Sequence, residues 1–181
     1  MNITANEEEL VRSLQDLSTQ RTAFARLVSL YSEPIYKQIR RMVLSHDDAN
    51  DLLQNTFVKA WMNLDSFRGA SKLSTWLYRI AINETLNFLQ KEKNHLRLDA
   101  DTDIAEFLMS DDFFDGDELQ AKLQEVIVRL PEKQRLVFQM KYYQELKYEE
   151  ISEILGTSVG ALKASYHHAV KKIAEFFQDY D

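Results

Sequence analysis

Residues 148–173 read YEEISEILGTSVGALKASYHHAVKKI, and this stretch decides the fold. Ile151, Ile154 and Leu155 recur at helical spacing and run straight into Gly156. Glycine adopts positive φ at no steric cost and so ends helices, while Thr157 or Ser158 can satisfy the free N–H groups opening the next one. That next helix carries Leu162, Tyr166, Ala169, Val170 and Ile173 as its expected apolar stripe. Two helices joined by so tight a turn form a helix-turn-helix, whose second helix enters the major groove of DNA when it binds. Nucleic acid is therefore the leading partner.

Outward from this motif, helical patterning continues. Helices are expected over 118–129, 131–143, 148–155 and 158–178, with Pro131 in the first turn of the second, where its missing N–H costs nothing. Towards the N-terminus, periodicity predicts helices at 7–17, 21–45, 48–63 and 72–93. Pro34 should kink or restart the second of these, because it has no N–H to give and clashes with the preceding turn. Asp47 is the expected N-cap of 48–63, whose apolar stripe is Leu52, Leu53, Phe57, Ala60, Trp61 and Leu64. A break holding Ser66, Gly69 and Ser71 leads to 72–93, with Leu73, Trp76, Leu77, Ile80 and Ala81 on one face. The fold class is all-α, in two small helical domains (1–95 and 118–181) joined by an acidic linker at 96–117. No internal repeat is visible.

Composition agrees and narrows the chemistry. The 181 residues include four Gly, two Pro and no Cys, so disulfides and thiolate metal sites are excluded. The acidic Glu7, Glu8 and Glu9 do not fit a signal peptide, and no apolar run approaches the roughly 18 residues of a membrane span. A soluble, cytoplasmic protein without membrane insertion is expected. A formal charge of −7 looks wrong for a DNA binder, but it is unevenly placed. Residues 21–98 carry twelve Lys/Arg against seven Asp/Glu, while 99–118 carry nine acids and no base. Cations displace counterions from phosphates locally, so the basic segment keeps its value. Weak binding of DNA alone is the expectation, and stronger binding in company.

The linker has Asp99, Asp101, Asp103, Asp111, Asp112, Asp115 and Asp117 around Gly116. Such composition fits a solvated tether. Its length, and the interspersed Ile104, Phe107, Leu108, Phe113 and Phe114, fit a functional segment instead. Both readings stand at this point.

Three motifs in order then become informative together: DDANDLLQNTFVKAW at 47–61, FRGASKLSTWLYRIAIN at 67–83, and the helix-turn-helix beyond the acidic linker. The chain resembles, over residues 22–177, a bacterial RNA polymerase sigma factor of the sigma-70 family, extracytoplasmic-function group. The resemblance implies a dissociable subunit, not itself an enzyme, that binds core RNA polymerase and recognises and melts promoter DNA. It also implies an anti-sigma factor as a partner, and an acidic linker lying in a basic nucleic-acid channel.

By the resemblance, the helix at 48–61 docks on the polymerase clamp, through Asp48, Asp51, Leu52, Gln54, Asn55 and Lys59. Its polar groups can form charge-assisted hydrogen bonds with an Arg-rich partner. From the residues alone, Asp48 and Asp51 equally serve the helix dipole. The segment at 67–83 resembles the reader of the minus-ten element, through Phe67, Arg68, Lys72, Ser74, Thr75, Trp76, Arg79 and Asn83. Gly69 and Ser71 suit a tight loop shaping a base pocket, and Trp76 and Tyr78 offer rings for stacking. Trp76 also fits the Leu73/Leu77/Ile80 stripe and so a core position. Arg79 and Asn83 lie one turn apart on a flank. The minus-thirty-five element falls to Ser158, Val159, Gly160, Ala161, Lys163, Ala164, Tyr166, His167 and Lys171.

The recognition helix departs from the family's wording. Positions commonly Arg are Ser165, His168 and Val170 here, and Lys147 stands where a Ser often opens the preceding helix. Fewer guanidiniums mean fewer bidentate guanine contacts, each contributing about 1–3 kcal/mol. No His pair at i, i+4, no phosphate-cradling Gly loop and no nucleophile triad is present, so no metal, cofactor or catalytic site is expected. Two rivals remain: a conventional helix-turn-helix regulator that binds DNA without polymerase, as a dimer on a two-fold site, and a helical adaptor with no DNA dependence.

Overall fold

Three helices of the structure, a computed structural model, begin where the side chain of Ser45, Asp103 or Asp117 accepts a free N–H of the first turn. The structure describes residues 3–69, 71–92, 103–112, 114 and 116–178, all of whose regular elements are helical. The chain divides into two compact units, 1–95 and 96–181.

The first unit contains α1 (Ile3–Gln15), α2 (Gln20–Val43), α3 (His46–Met62), a short 3-10 turn at Leu64–Ser66 and α4 (Leu73–Glu92). Leu10 and Leu14 of α1, Leu27, Ile35 and Ile39 of α2, Ala49, Phe57 and Ala60 of α3, and Leu77, Ala81 and Ile82 of α4 form its interior. α2 runs through Pro34 without restarting. Pro34 and Leu30, whose carbonyl loses its i+4 donor, both lie on the exposed side, where water can serve that carbonyl.

The cap of α3 is Ser45, not Asp47: the Asp48 N–H donates to Ser45 Oγ at 3.3 Å, and Asp47 is already helical. The preceding Leu44 makes the difference, because it takes a left-handed conformation (φ 63) with its side chain buried and so turns the chain at residue 45. The Arg40 guanidinium donates to the Leu44 carbonyl there. α4 is opened from a distance, the Leu73 N–H donating to Glu7 Oε1 of α1 at 2.7 Å. Lys59 and Glu84 pair between α3 and α4.

The second unit holds α5 (Ile104–Met109), α6 (Glu118–Arg129), α7 (Glu132–Tyr142), α8 (Tyr148–Leu155) and α9 (Val159–Gln178). α5 lies inside the stretch read as linker. Ile104, Ala105 and Leu108 are buried, and the helix packs along α6. Asp103 caps it, accepting the Glu106 N–H at 2.9 Å, with Lys122 Nζ of α6 3.9 Å away. Asp99, Asp101, Phe113 and Asp115 lie outside the described residues.

Ile127, Leu130, Phe138 and Ala169 make the centre of this unit, with Leu123, Tyr143, Tyr166 and Ile173 half-buried around them. Pro131 is the N-cap of α7 (φ −52, ψ 140), one place before the first turn. Gly156 ends α8 in the left-handed conformation (φ 63), its N–H donating to Ser152 O at 2.9 Å. A Cβ there would meet nothing within 4 Å, so the demand for glycine is conformational. Ser158 rather than Thr157 caps α9, accepting the Ala161 N–H at 3.4 Å. Val170 leaves the expected stripe: it is 41% exposed, one step of about 100° away from the buried Ala169.

Candidate nucleic-acid and partner interfaces

The face of α9 follows from how little of the helix its unit covers. Only Leu162 and Ala169 are buried. Ser158, Gly160, Ala161, Lys163, Ala164, His167 and Lys171 are exposed, and Val159 and Tyr166 are half-buried. His168, Val170 and Lys172 are exposed as well and extend the same surface. Lys171 Nζ sits 3.7 Å from Glu175, an exposed pair that leaves the lysine available to phosphate. Where α8 begins, Lys141 and Lys163 place their ammonium groups 5.2 and 5.7 Å from the centre of the Tyr148 ring. Burial, and then neighbouring Tyr166, push the Tyr148 phenol up. Lys141 also donates to Leu146 O at 3.1 Å, which fixes it across the loop before α8. Sequence reading passed over Lys141 and Tyr148, since neither lies on the recognition helix.

On α3, Asp51, Gln54, Asn55 and Lys59 are exposed and Asp48 is half-buried. Leu52 is corrected: at 5% exposure it belongs to the interior and offers nothing to a partner. Trp61, expected in the core, is 40% exposed and packs edge-on against Phe24, ring centres 4.9 Å apart. Val58 and Met62 are exposed too, and follow Asp51 and Asn55 at helical spacing, so the flank ends apolar. Their place outside the core period was the available signal.

The loop and α4 divide sharply. Arg68, Lys72 and Asn83 are exposed, while Ser74, Trp76 and Arg79 are half-buried. Phe67 and Thr75 are corrected as contact residues: Phe67 is 6% and Thr75 2% exposed, both turned inward. Trp76 leans on Phe67 with ring centres 5.2 Å apart, which leaves it between core and surface. Tyr78 is buried, its phenol pushed up by that burial against the opposing pull of Arg41, and it cannot stack on a base. Ile82 takes the core position expected of Ile80. Arg79 Nε is buried and makes no hydrogen bond within the protein, and Asn83 lies one turn on. Among the described residues, no three His, Asp or Glu side chains come together as a metal site.

Comparison with known proteins fits this division. Residues 27–95 match the family described as Sigma-70 region 2, and residues 120–173 match Sigma-70, region 4. The fold and its surfaces thus define a sigma-70-type transcription initiation protein. The chain is 35% identical to the ECF RNA polymerase sigma factor SigW of Bacillus subtilis (strain 168), over 87% of this chain and 90% of that one. It is 30% identical to the ECF RNA polymerase sigma-E factor of Haemophilus influenzae, over 95% of each. The fold is shared with CnrH, solved with the cytosolic domain of CnrY, at a TM-score of 0.73 and 22% identity, covering 97% of this chain and 99% of that one. It is shared also with sigma factor RpoE of Bartonella quintana, solved with the anti-sigma factor NepR, at 0.66 and 22%, covering 86% and 96%. The chain belongs to the ECF RNA polymerase sigma factors, and so directs promoter-specific transcription.

Proposed function

We propose that this sigma subunit divides its work between its two units. The exposed flank of α3, from Asp51 to Met62, grips core RNA polymerase. Arg68, Lys72, Arg79 and Asn83 hold the minus-ten strand as it opens, and the face of α9 around Lys163, His167 and Lys171 sits at the minus-thirty-five element. The polymerase, not this chain, joins nucleotides. Melting is driven by binding energy: whichever strands the protein holds better than duplex become populated. The observation that carries this reading is the buried, partnerless Arg79 Nε beside exposed Asn83, in a unit whose other outward flank is acidic and amide-rich.

An anti-sigma protein is the expected antagonist, and sigma factor RpoE, solved with the anti-sigma factor NepR, supports it. Exposed Val58 and Met62 beside Asp51 and Asn55 suit a protein competitor for the polymerase flank. The cytoplasm, where polymerase works, is the proposed compartment. Among the described residues no helix is long and apolar enough to cross a membrane.

Mixing the purified protein with core polymerase and genomic fragments tests the assignment. Co-migration with core and a promoter-dependent run-off transcript are expected. Tight binding of the isolated chain to a two-fold site, with no transcript, would establish the regulator instead.

A further inference from the structure

Leu73, the first residue of α4, is only 1% exposed, so water does not reach its backbone N–H. A helix has no partner of its own for its opening N–H groups, and one shut away from water needs an acceptor in the protein. The acceptor is the Glu7 carboxylate of α1, at 2.7 Å and across 66 residues of chain. Being charged, it bonds the N–H more strongly than a neutral oxygen would, and it faces the positive end of the α4 dipole.

Glu7 is itself held in place. Glu7, Leu10 and Leu14 share one face of α1 at i, i+3 and i+7, and both leucines are buried. The same carboxylate bears on α2, where burial first, and then Glu7, push the Tyr31 phenol up. The loop from Phe67 to Lys72 is thereby pinned at both ends. At one end buried Phe67 leans on Trp76, and its N–H donates to Leu64 O at 3.0 Å. At the other, Lys72 O takes the first backbone hydrogen bond of α4, from Trp76 N–H at 3.1 Å, and the next residue is the one Glu7 holds. Gly69 between them takes φ 70, and a Cβ on it would meet nothing within 4 Å. The exposed cations Arg68 and Lys72 each stand beside a pin.

We infer that Glu7 is a positioning residue for promoter opening: its hydrogen bond to the Leu73 N–H sets where α4 begins, and so the direction in which Lys72 and the loop meet the opened strand. Glu7 acts through Leu73 and does not itself touch DNA. Without the bond the first turn of α4 frays and must be ordered again on binding, which lowers affinity for the strand. Surfaces on α3 and in the second unit do not depend on it. The inference rests on the sigma reading of the loop.

The test assembles the full chain and its Glu7 variants with core polymerase, well below the thermal midpoint of each, and titrates a single-stranded minus-ten oligonucleotide. Glu7→Ala should weaken strand affinity about tenfold, the scale of one hydrogen bond to a charged group, and slow opening of a duplex promoter similarly. Glu7→Gln, whose amide oxygen still accepts the N–H, should stay within about twofold of the parent. Glu7→Asp keeps the charge one methylene short and should fall between them; it carries the comparison if Glu7→Ala does not fold. Association with core and binding of duplex minus-thirty-five DNA should not change. Hydrogen exchange at the Leu73 amide should quicken in Glu7→Ala and not in Glu7→Gln, which reads the bond directly.

Quickened exchange with unchanged strand affinity would overturn the inference, because the bond would then serve stability alone. A Glu7→Gln as weak as Glu7→Ala, beside a Glu7→Asp equal to the parent, would make charge the cause and overturn it too. So would tighter strand binding by Glu7→Ala and Glu7→Gln, which would make Glu7 a repulsive neighbour of the DNA. A parent holoenzyme giving no promoter-dependent transcript would instead remove the sigma reading itself, and this inference with it.

Discussion

α4 and α9 are both 20-residue helices, and both are proposed above to meet DNA, yet their surroundings are opposite. α4 is embedded: Leu73, Thr75, Leu77, Tyr78, Ala81, Ile82 and Thr85 are all buried, around most of its circumference. α9 rests on its unit through buried Leu162 and Ala169, with Tyr166 and Ile173 half-buried beside them, and leaves most of its other side chains exposed. A helix of the second kind reads with its own face. One of the first kind can offer only a flank, here Arg79 and Asn83, so the loop before it must supply the rest. Substitutions should therefore separate stability from DNA binding cleanly in α9, and residue by residue around α4.

The largest effect expected comes from breaking that separation at two adjacent loop residues. Phe67→Ala empties a buried site against Trp76 and should cost about 3 kcal/mol or more of stability. Arg68→Ala, at an exposed position, should stay within about 0.5 kcal/mol while weakening open-complex formation. Thermal unfolding and run-off transcription of both variants check this. Equal destabilisation, or a fully stable Phe67→Ala deficient only in melting, would mean the loop is not anchored as described.

On α9 the expected change is electrostatic. Lys163→Ala should reduce the slope of log affinity against log salt, for upstream-element DNA in the holoenzyme, by about 0.9, the share of one phosphate contact. Losing the cation over Tyr148 should cost stability only about 0.5–1 kcal/mol. Association with core polymerase should not change. An unaltered salt slope would place Lys163 off the DNA.

The contrast also explains what the sequence could disclose. Gly156 was readable because only glycine takes its backbone conformation freely, and the stripe at Leu162 and Ala169 because one covered face produces one clean period. The caps were harder. Ser45 and Asp47 are both good N-cap residues, and the choice falls to Leu44, a left-handed leucine that no propensity favours. α5 was hidden by composition: three apolar residues at i, i+1 and i+4 suffice to dock it on α6, but seven aspartates around them dominate any count. The motif at 67–83 carried the resemblance without fixing the rotation of α4, so Phe67, Thr75 and Tyr78 were read as available to DNA when they point in. That Glu7 opens α4 across 66 residues is a tertiary fact, invisible to local patterning. The two sigma regions were recognisable from the order of motifs, not from any one of them.

The smallest effect concerns protons, and it too distinguishes the embedded side of the first unit. Burial first, then the Glu7 carboxylate and Tyr78, push the Tyr31 phenol up to about 12. The unfolded chain would release that proton near the ordinary value of about 10. Between those two values the unfolded state binds fewer protons than the folded one, so stability falls as pH rises through the window and is unaffected well below it. Tyr31→Phe removes the titrating group and should flatten the decline in urea midpoint between about pH 10 and 11.5 relative to the parent protein. Glu7→Gln supplies the finer control: its amide oxygen can still accept the Leu73 N–H, but the charge that helps hold Tyr31 neutral is gone. Its alkaline decline should begin at the same pH yet run less steeply than the parent's, and more steeply than that of Tyr31→Phe. Parallel curves for all three proteins would mean that the phenol meets water in the folded state, and that α2 is less closely covered on this side than α4.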